Sequence, residues 1–247
     1  MDYWPPTSQG GFYMLKVDNI SAGYGDKLVL KGATLDIGES EIVGLVGPNG
    51  SGKSTVLKSI FGLLKVSEGS ISYNDQFIHN RISAENVKSG ICYIPQGSKV
   101  FPHLTVQENM EMGGVLLRDE HELQARIANL YDKFPKLKEY RNKPAARLSG
   151  GERQMVGFCV GLIMNPKLLL VDEPSIGLAP QLVAQTMELI ANCREEFKAS
   201  ILIVEQNVRA MLTIADRVFL LKTGRIVHEE KTVDDNTEQR LRELFLT

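Results

Sequence analysis

Apolar residues gather along the chain in short runs, and the period of each run changes from region to region. Residues 41–46, 91–94, 168–171 and 201–204 are rich in branched side chains and bounded by turn residues. Near-continuous runs of this length predict strands buried on both faces, as in a parallel sheet. Helical patterns over 54–64 and 182–197 lie between several of them, and that alternation predicts an α/β fold. From about residue 101 to 161 the pattern differs. Charge-rich helical stretches such as 120–134 occur there without a convincing strand, which predicts a helical subdomain inserted into the core. Segments 15–21, 28–35 and 70–73 have the look of a small antiparallel sheet. The expected layout is an extension over 1–13, core with the antiparallel subdomain over 14–97, the helical subdomain over 98–161, and the rest of the core with a C-terminal tail over 162–247.

Composition narrows the partners. Forty-three per cent of the 247 residues are hydrophobic, enough for a substantial core. A formal charge of −2 and a pI near 6.1 argue against wholesale binding to nucleic acid or anionic lipid, which needs a concentrated basic surface. Cys92, Cys159 and Cys193 are widely spaced with no C-x-x-C pair, so neither a zinc site nor a disulfide framework is implied and a reducing cytosol fits. The longest apolar run, residues 155–164, is about half of the roughly 20 residues a spanning helix needs. Residues 1–13 lack the basic start and apolar stretch of a secretory signal, and Met14 is a plausible natural start.

Three elements carry chemistry. The first is Gly47-Pro48-Asn49-Gly50-Ser51-Gly52-Lys53-Ser54-Thr55, which satisfies G-x-x-x-x-G-K-[ST] between an apolar strand and a helix. Glycines let backbone N–H groups turn onto phosphate oxygens, and the helix N-terminus adds partial positive charge. Lys53 then neutralises the outer phosphates of a nucleoside triphosphate, and the Ser54 hydroxyl ligates Mg²⁺. The second is Leu168-Leu169-Leu170-Val171-Asp172-Glu173, a buried strand ending in two carboxylates at the sheet edge where ligands of open α/β sheets bind. Asp172 suits the Mg²⁺ shell, which leaves Glu173 to act as general base on water. Alone, Asp-Glu-Pro after a strand reads as an ordinary turn; the loop upstream reverses that. The third is Leu148-Ser149-Gly150-Gly151-Glu152. Ser149 and Glu152 form a capping box, yet two glycines in a first helical turn each cost about 1 kcal/mol relative to alanine. That expense makes sense where something approaches the backbone closely, and a second phosphate-binding helix N-terminus is the candidate.

In this order the three elements resemble the nucleotide-binding subunit of ATP-binding cassette transporters, over about residues 14–232. The resemblance implies a phosphate-loop, RecA-like α/β core with a mainly parallel sheet, a small antiparallel subdomain and the helical insert. It implies a head-to-tail dimer in which Ser149, Gly150 and Gly151 of one subunit face the γ-phosphate held by Lys53 of the other. Tyr24 resembles the aromatic that stacks on adenine; on its own it reads as packing. Gln96 resembles the glutamine that meets Mg²⁺ and the attacking water and links the helical insert to a membrane partner; on its own it reads as a polar strand end. The implied partners are a second ATPase subunit, identical or paralogous, and integral membrane permeases, with the chain held peripherally at the cytoplasmic face. No nucleic-acid partner is expected.

Two stretches depart from the common pattern. Gln206 stands where most members have a histidine facing the γ-phosphate; it can donate a hydrogen bond but carries no charge. Ala179 stands where many have an aspartate at the dimer seam. Both resemble the ATPase subunits of branched-chain amino acid importers and their relatives for urea or amides. A soluble cassette ATPase acting outside transport is the rival reading. A single cassette, no long coiled coil and no strongly basic face favour transport. A regulatory module that no longer hydrolyses ATP is opposed by the intact Lys53, Ser54, Asp172 and Glu173.

Overall fold

The computed structural model describes residues 13–97, 99–234 and 236–246. The chain opens with β1 (Tyr13–Tyr24), β2 (Lys27–Gly38), β3 (Ile42–Val46), α1 (Lys53–Phe61), β4 (Val66–Tyr73), β5 (Gln76–Phe77), α2 (Ser83–Lys88) and β6 (Ile91–Ile94). The insert follows as α3 (Val106–Gly113), α4 (Glu120–Lys133), α5 (Pro135–Glu139), a 3-10 turn (Ala145–Arg147) and α6 (Gly150–Leu162). The chain then continues through β7 (Leu168–Asp172), α7 (Pro180–Phe197), β8 (Ser200–Val204), α8 (Val208–Leu212), β9 (Arg217–Lys222), β10 (Arg225–Glu230) and α9 (Thr237–Leu246). The extension expected over 1–13 lies outside the described residues except for Tyr13, which pairs with Gly38 at the start of β1.

Two sheets organise these elements. The larger runs β10-β9-β3-β8-β7-β6 and is parallel except for β10 at its edge. The smaller, β2-β1-β4-β5, is antiparallel. Side chains of the parallel strands alternate between two cores. Ile42, Val46, Leu169, Val171, Ile201 and Ile203 face the side that carries α6 and α7, whereas Val43, Leu45, Leu168, Leu170, Leu202 and Val204 face α1 and the antiparallel sheet. Burial on both faces explains why these strands read as unbroken apolar runs, and each such side chain contributes about 1.5–3 kcal/mol.

Where the boundaries moved, local chemistry is the reason. The helix expected to reach residue 64 ends at Phe61, because Gly62 takes a left-handed cap (φ 83°) whose N–H closes on the carbonyls of Lys58 and Ser59. The strand expected from residue 41 starts at Ile42. Glu41 is diverted instead, its carboxylate accepting from Gly38 N–H and from Arg217. The β9–β10 hairpin was not anticipated. It is riveted to the front of the molecule by Arg217, which pairs with Asp36 (2.7 Å), Glu41 (2.8 Å) and Glu229 (2.8 Å).

The anticipated capping box of Ser149 with Glu152 is present on α6, and a second joins Thr105 with Glu108 on α3. In the insert, the buried Asn109 amide holds Phe101 from both sides, accepting its N–H and donating to its carbonyl, and also donates to Leu104 and Thr105. That amide fastens the segment leaving β6 to the helical insert.

Candidate functional site

Four neighbouring parallel strands, β3, β8, β7 and β6, end at the same sheet edge, and each releases one element of the site there. The phosphate loop follows β3, Gln206 follows β8, Asp172 and Glu173 close β7, and Gln96 follows β6. A crevice at the carboxyl ends of such strands is where an open α/β sheet binds ligands. Here it is a cleft of about 620 Å³ lined by Tyr24, Asn49, Gly50, Lys53, Gln96, Glu173 and Gln206, among others.

The loop is shaped by close approach. A Cβ on Gly47 would lie 2.1 Å from the Leu221 carbonyl oxygen, and one on Gly52 would lie 2.8 Å from Leu30 Cδ2 at a φ of 109°. Only glycine fits either position. Gly52 caps α1 without any side-chain hydrogen bond, so the first-turn N–H groups stay available to an anion. Lys53 is buried, its Nζ donating to the carbonyls of Gly47 (2.9 Å) and Pro48 (3.2 Å). Burial lowers its pKa, opposed by the charges of Glu173 and Asp172. Ser51 Oγ is a buried polar atom without a hydrogen-bond partner among the described residues, and so can serve an anion held by the loop.

Asp172 is held on both oxygens. Ser54 Oγ donates to Oδ1 (2.9 Å) and the Tyr93 hydroxyl to Oδ2 (2.9 Å). Burial raises the Asp172 pKa, and these two hydrogen bonds pull against it. Ser54 and Asp172 therefore present adjacent hard oxygen donors. Among the described residues no group of three or more His, Cys, Asp or Glu could hold a metal. The donor set fits Mg²⁺, which takes one or two protein ligands and completes its shell with phosphates and water.

Glu173 is also buried and held on both oxygens, by Gln96 Nε2 at Oε2 (2.6 Å) and Gln206 Nε2 at Oε1 (2.8 Å). Its backbone sits at φ 46°, a left-handed conformation that is uncommon for a side-chain-bearing residue and concentrates at functional sites. Tyr24 is half-exposed at the rim, its hydroxyl accepting from Lys58 Nζ at 3.3 Å.

Ser149, Gly150 and Gly151 are not brought into this cleft. Ser149 and Gly151 line a separate cavity of about 240 Å³ between α5, α6 and α7. Ser149 Oγ accepts the Glu152 N–H at 3.3 Å, and the Glu152 carboxylate accepts the Ser149 N–H at 2.7 Å. A Cβ on Gly150 would meet nothing within 4 Å, so its own chain does not require glycine there. The sequence reading missed Tyr93, which holds Asp172, and Glu205, described below. Each acts on a residue far along the chain, and no local spacing marks it.

Residues 30–176 match the ABC transporter family. The chain belongs to the ABC transporter family. It is 37% identical to the high-affinity branched-chain amino acid transport ATP-binding protein BraG of Pseudomonas aeruginosa, over 94% of this chain and 99% of that one. It is 39% identical to the probable branched-chain amino acid transport ATP-binding protein LivF of Archaeoglobus fulgidus, over 86% of this chain and 90% of that one. Its fold is similar to a dimeric post-hydrolysis state of an ATP-binding cassette bound to ADP and phosphate, with a TM-score of 0.77, 27% identity, and coverage of 90% of this chain and 99% of that one. The resemblance read from the three motifs, and the narrower one read from Gln206 and Ala179, agree with these relatives. The cassette is an ATP-binding ATPase subunit, and cassettes of this family dimerise and work with membrane permeases. Among the described residues no helix is long and apolar enough to cross a membrane.

Proposed function

We propose that this cassette binds Mg-ATP in the cleft at the carboxyl ends of β3, β6, β7 and β8, hydrolyses it in a two-subunit sandwich, and so drives import of branched-chain amino acids through separate permeases at the cytoplasmic face of the membrane. The observation that carries the reading is the convergence of Lys53, Asp172, Glu173, Gln96 and Gln206 on one crevice. Tyr24 stacks on adenine, and Gly47–Thr55 wrap the phosphates with Lys53 as counter-charge. Ser54, Asp172 and Gln96 would hold Mg²⁺, which would neutralise charge on the phosphates. Glu173 takes a proton from water as the water oxygen bonds to the γ-phosphorus and the bond to the β-γ bridging oxygen breaks, releasing ADP and phosphate. Gln96 and Gln206 fix the direction of that carboxylate. Ser149, Gly150 and Gly151 of the opposite subunit close the site over the γ-phosphate.

The substrate class rests on the names and identities of BraG and LivF. Purification of the tagged chain from membranes is expected to recover two multi-span permeases and a second ATPase, and the complex to show ATPase stimulated by a branched-chain amino acid with its capture protein. Stimulation by urea or short amides instead would move the substrate; recovery of ribosomes or nucleic acid would replace transport with the soluble-ATPase reading.

Gln206 carries a further prediction. A histidine there keeps a donor toward Glu173 and adds an ionisable group beside the γ-phosphate. Gln206→His is expected to leave ATP affinity unchanged and to raise hydrolysis by the isolated subunit several-fold. An unchanged or lower rate would show that the neutral amide does not limit turnover.

A further inference from the structure

Beyond Asp172, the last ladder pair of β7 and β8 is Asp172 with Val204, and the two strands then part to form the crevice. One backbone bond continues across the gap, from Glu173 N–H to the Val204 carbonyl (2.8 Å). Past that point the ladder is replaced by a side chain. Glu205 is 2% exposed, and its carboxylate accepts three backbone N–H groups drawn from both loops. Oε1 takes Ser175 N–H at 2.7 Å, two residues beyond Glu173. Oε2 takes Gln206 N–H at 2.9 Å and Asn207 N–H at 3.1 Å.

We infer that Glu205 is a positioning residue for ATP hydrolysis, clamping the loop after Glu173 to the loop that carries Gln206 so that the Gln206 amide and the Glu173 carboxylate move as one unit. This rests on the reading of Glu173 as the base. A buried carboxylate is unfavourable unless fully hydrogen-bonded, and ionised acceptors make the stronger bonds to backbone amides. Glu205 accepts three backbone N–H groups and reaches the cleft through Gln206, which lines it. Its partners are Gln206 itself, the adjacent Asn207, and Ser175 two residues beyond Glu173, so a slackened clamp is transmitted to both ends of the Gln206–Glu173 bond. Serving three converging N–H donors requires acceptor atoms only; an amide nitrogen turned into this cluster would place donor against donor.

The test is Glu205→Gln, an isosteric change, in the full chain assembled with its co-purified transporter partners. Misplacing a reacting group by about 1 Å can cost on the order of 100-fold. The expected result is a kcat reduced roughly 10-fold or more with KM for ATP within about two-fold of wild type. In a Gln206→Ala background the same change should lower kcat by less than about two-fold further, because both act through one bond. A kcat close to wild type, a KM that rises in step with the lost activity, or full multiplicative effects of the two changes would each overturn the inference. If Glu205→Gln does not fold, Glu205→Asp, with the charge on a shorter arm, is measured against the same outcomes. Failure of the site reading is separable: there Glu173→Gln would hydrolyse like wild type, whatever happens at Glu205.

Discussion

Glu173→Gln is expected to bind ATP about as tightly as wild type and to hydrolyse it about 10²–10⁴-fold more slowly, the usual contribution of a positioned general base. The two side chains have nearly the same shape, so the phosphate loop, Lys53 and the Ser54–Asp172 pair are left as they are. What changes is the ability to accept a proton. One oxygen also becomes an amide nitrogen facing either Gln96 or Gln206, each of which now donates to Glu173. One of those bonds is lost, which adds misorientation to the missing base. In the proposed two-subunit mechanism closure over ATP comes before cleavage, so the variant should accumulate as an ATP-bound dimer. Phosphate release and size-exclusion chromatography with and without ATP read both effects. Hydrolysis within a few-fold of wild type would remove Glu173 from the role of base.

How much of this could be read along the chain depends on the range of each interaction. The parallel strands announced themselves because burial on both faces leaves a continuous apolar run, and Ser149 announced its helix because a capping box spans four residues. The phosphate loop was visible for the same reason: its glycines, lysine and serine all lie within residues 47–55. The missed contacts at the site and at the β9–β10 hairpin are long-range. Tyr93 reaches Asp172 across 79 residues, and Arg217 reaches Asp36 across 181. β10 lies at the sheet edge, half-exposed and without a clean alternation, so neither period marked it. Along the chain Glu205 is a polar residue after a strand like any other, since one N–H it accepts belongs to Ser175, 30 residues away. Strand order turns these separations into contacts, and nothing in a linear pattern states strand order.

Gly150→Glu should move stability and activity in opposite directions. Gly150 is the first residue of α6, and a Cβ there meets nothing within 4 Å of its own chain. Replacing glycine in a helix gains up to about 1 kcal/mol. A carboxylate in a first helical turn adds about 0.3–1 kcal/mol through the helix dipole. The isolated cassette should therefore melt at the same temperature or a few degrees higher. If α6 serves only its own fold, hydrolysis will follow stability and stay intact. If its N-terminus completes the opposing subunit's site, the new carboxylate meets the γ-phosphate as like charge against like charge. It also fills the approach that two glycines had kept open. Turnover should then fall about 10²-fold or more, on the scale of losing a principal stabilising donor for transition-state charge, with ATP binding to the single subunit retained. Combined with Glu173→Gln, the change should also abolish the ATP-dependent dimer. A Gly150→Glu cassette that melts higher and still hydrolyses ATP like wild type would mean that the open surface at α6 is not the other half of the site, and that Lys53 works without it.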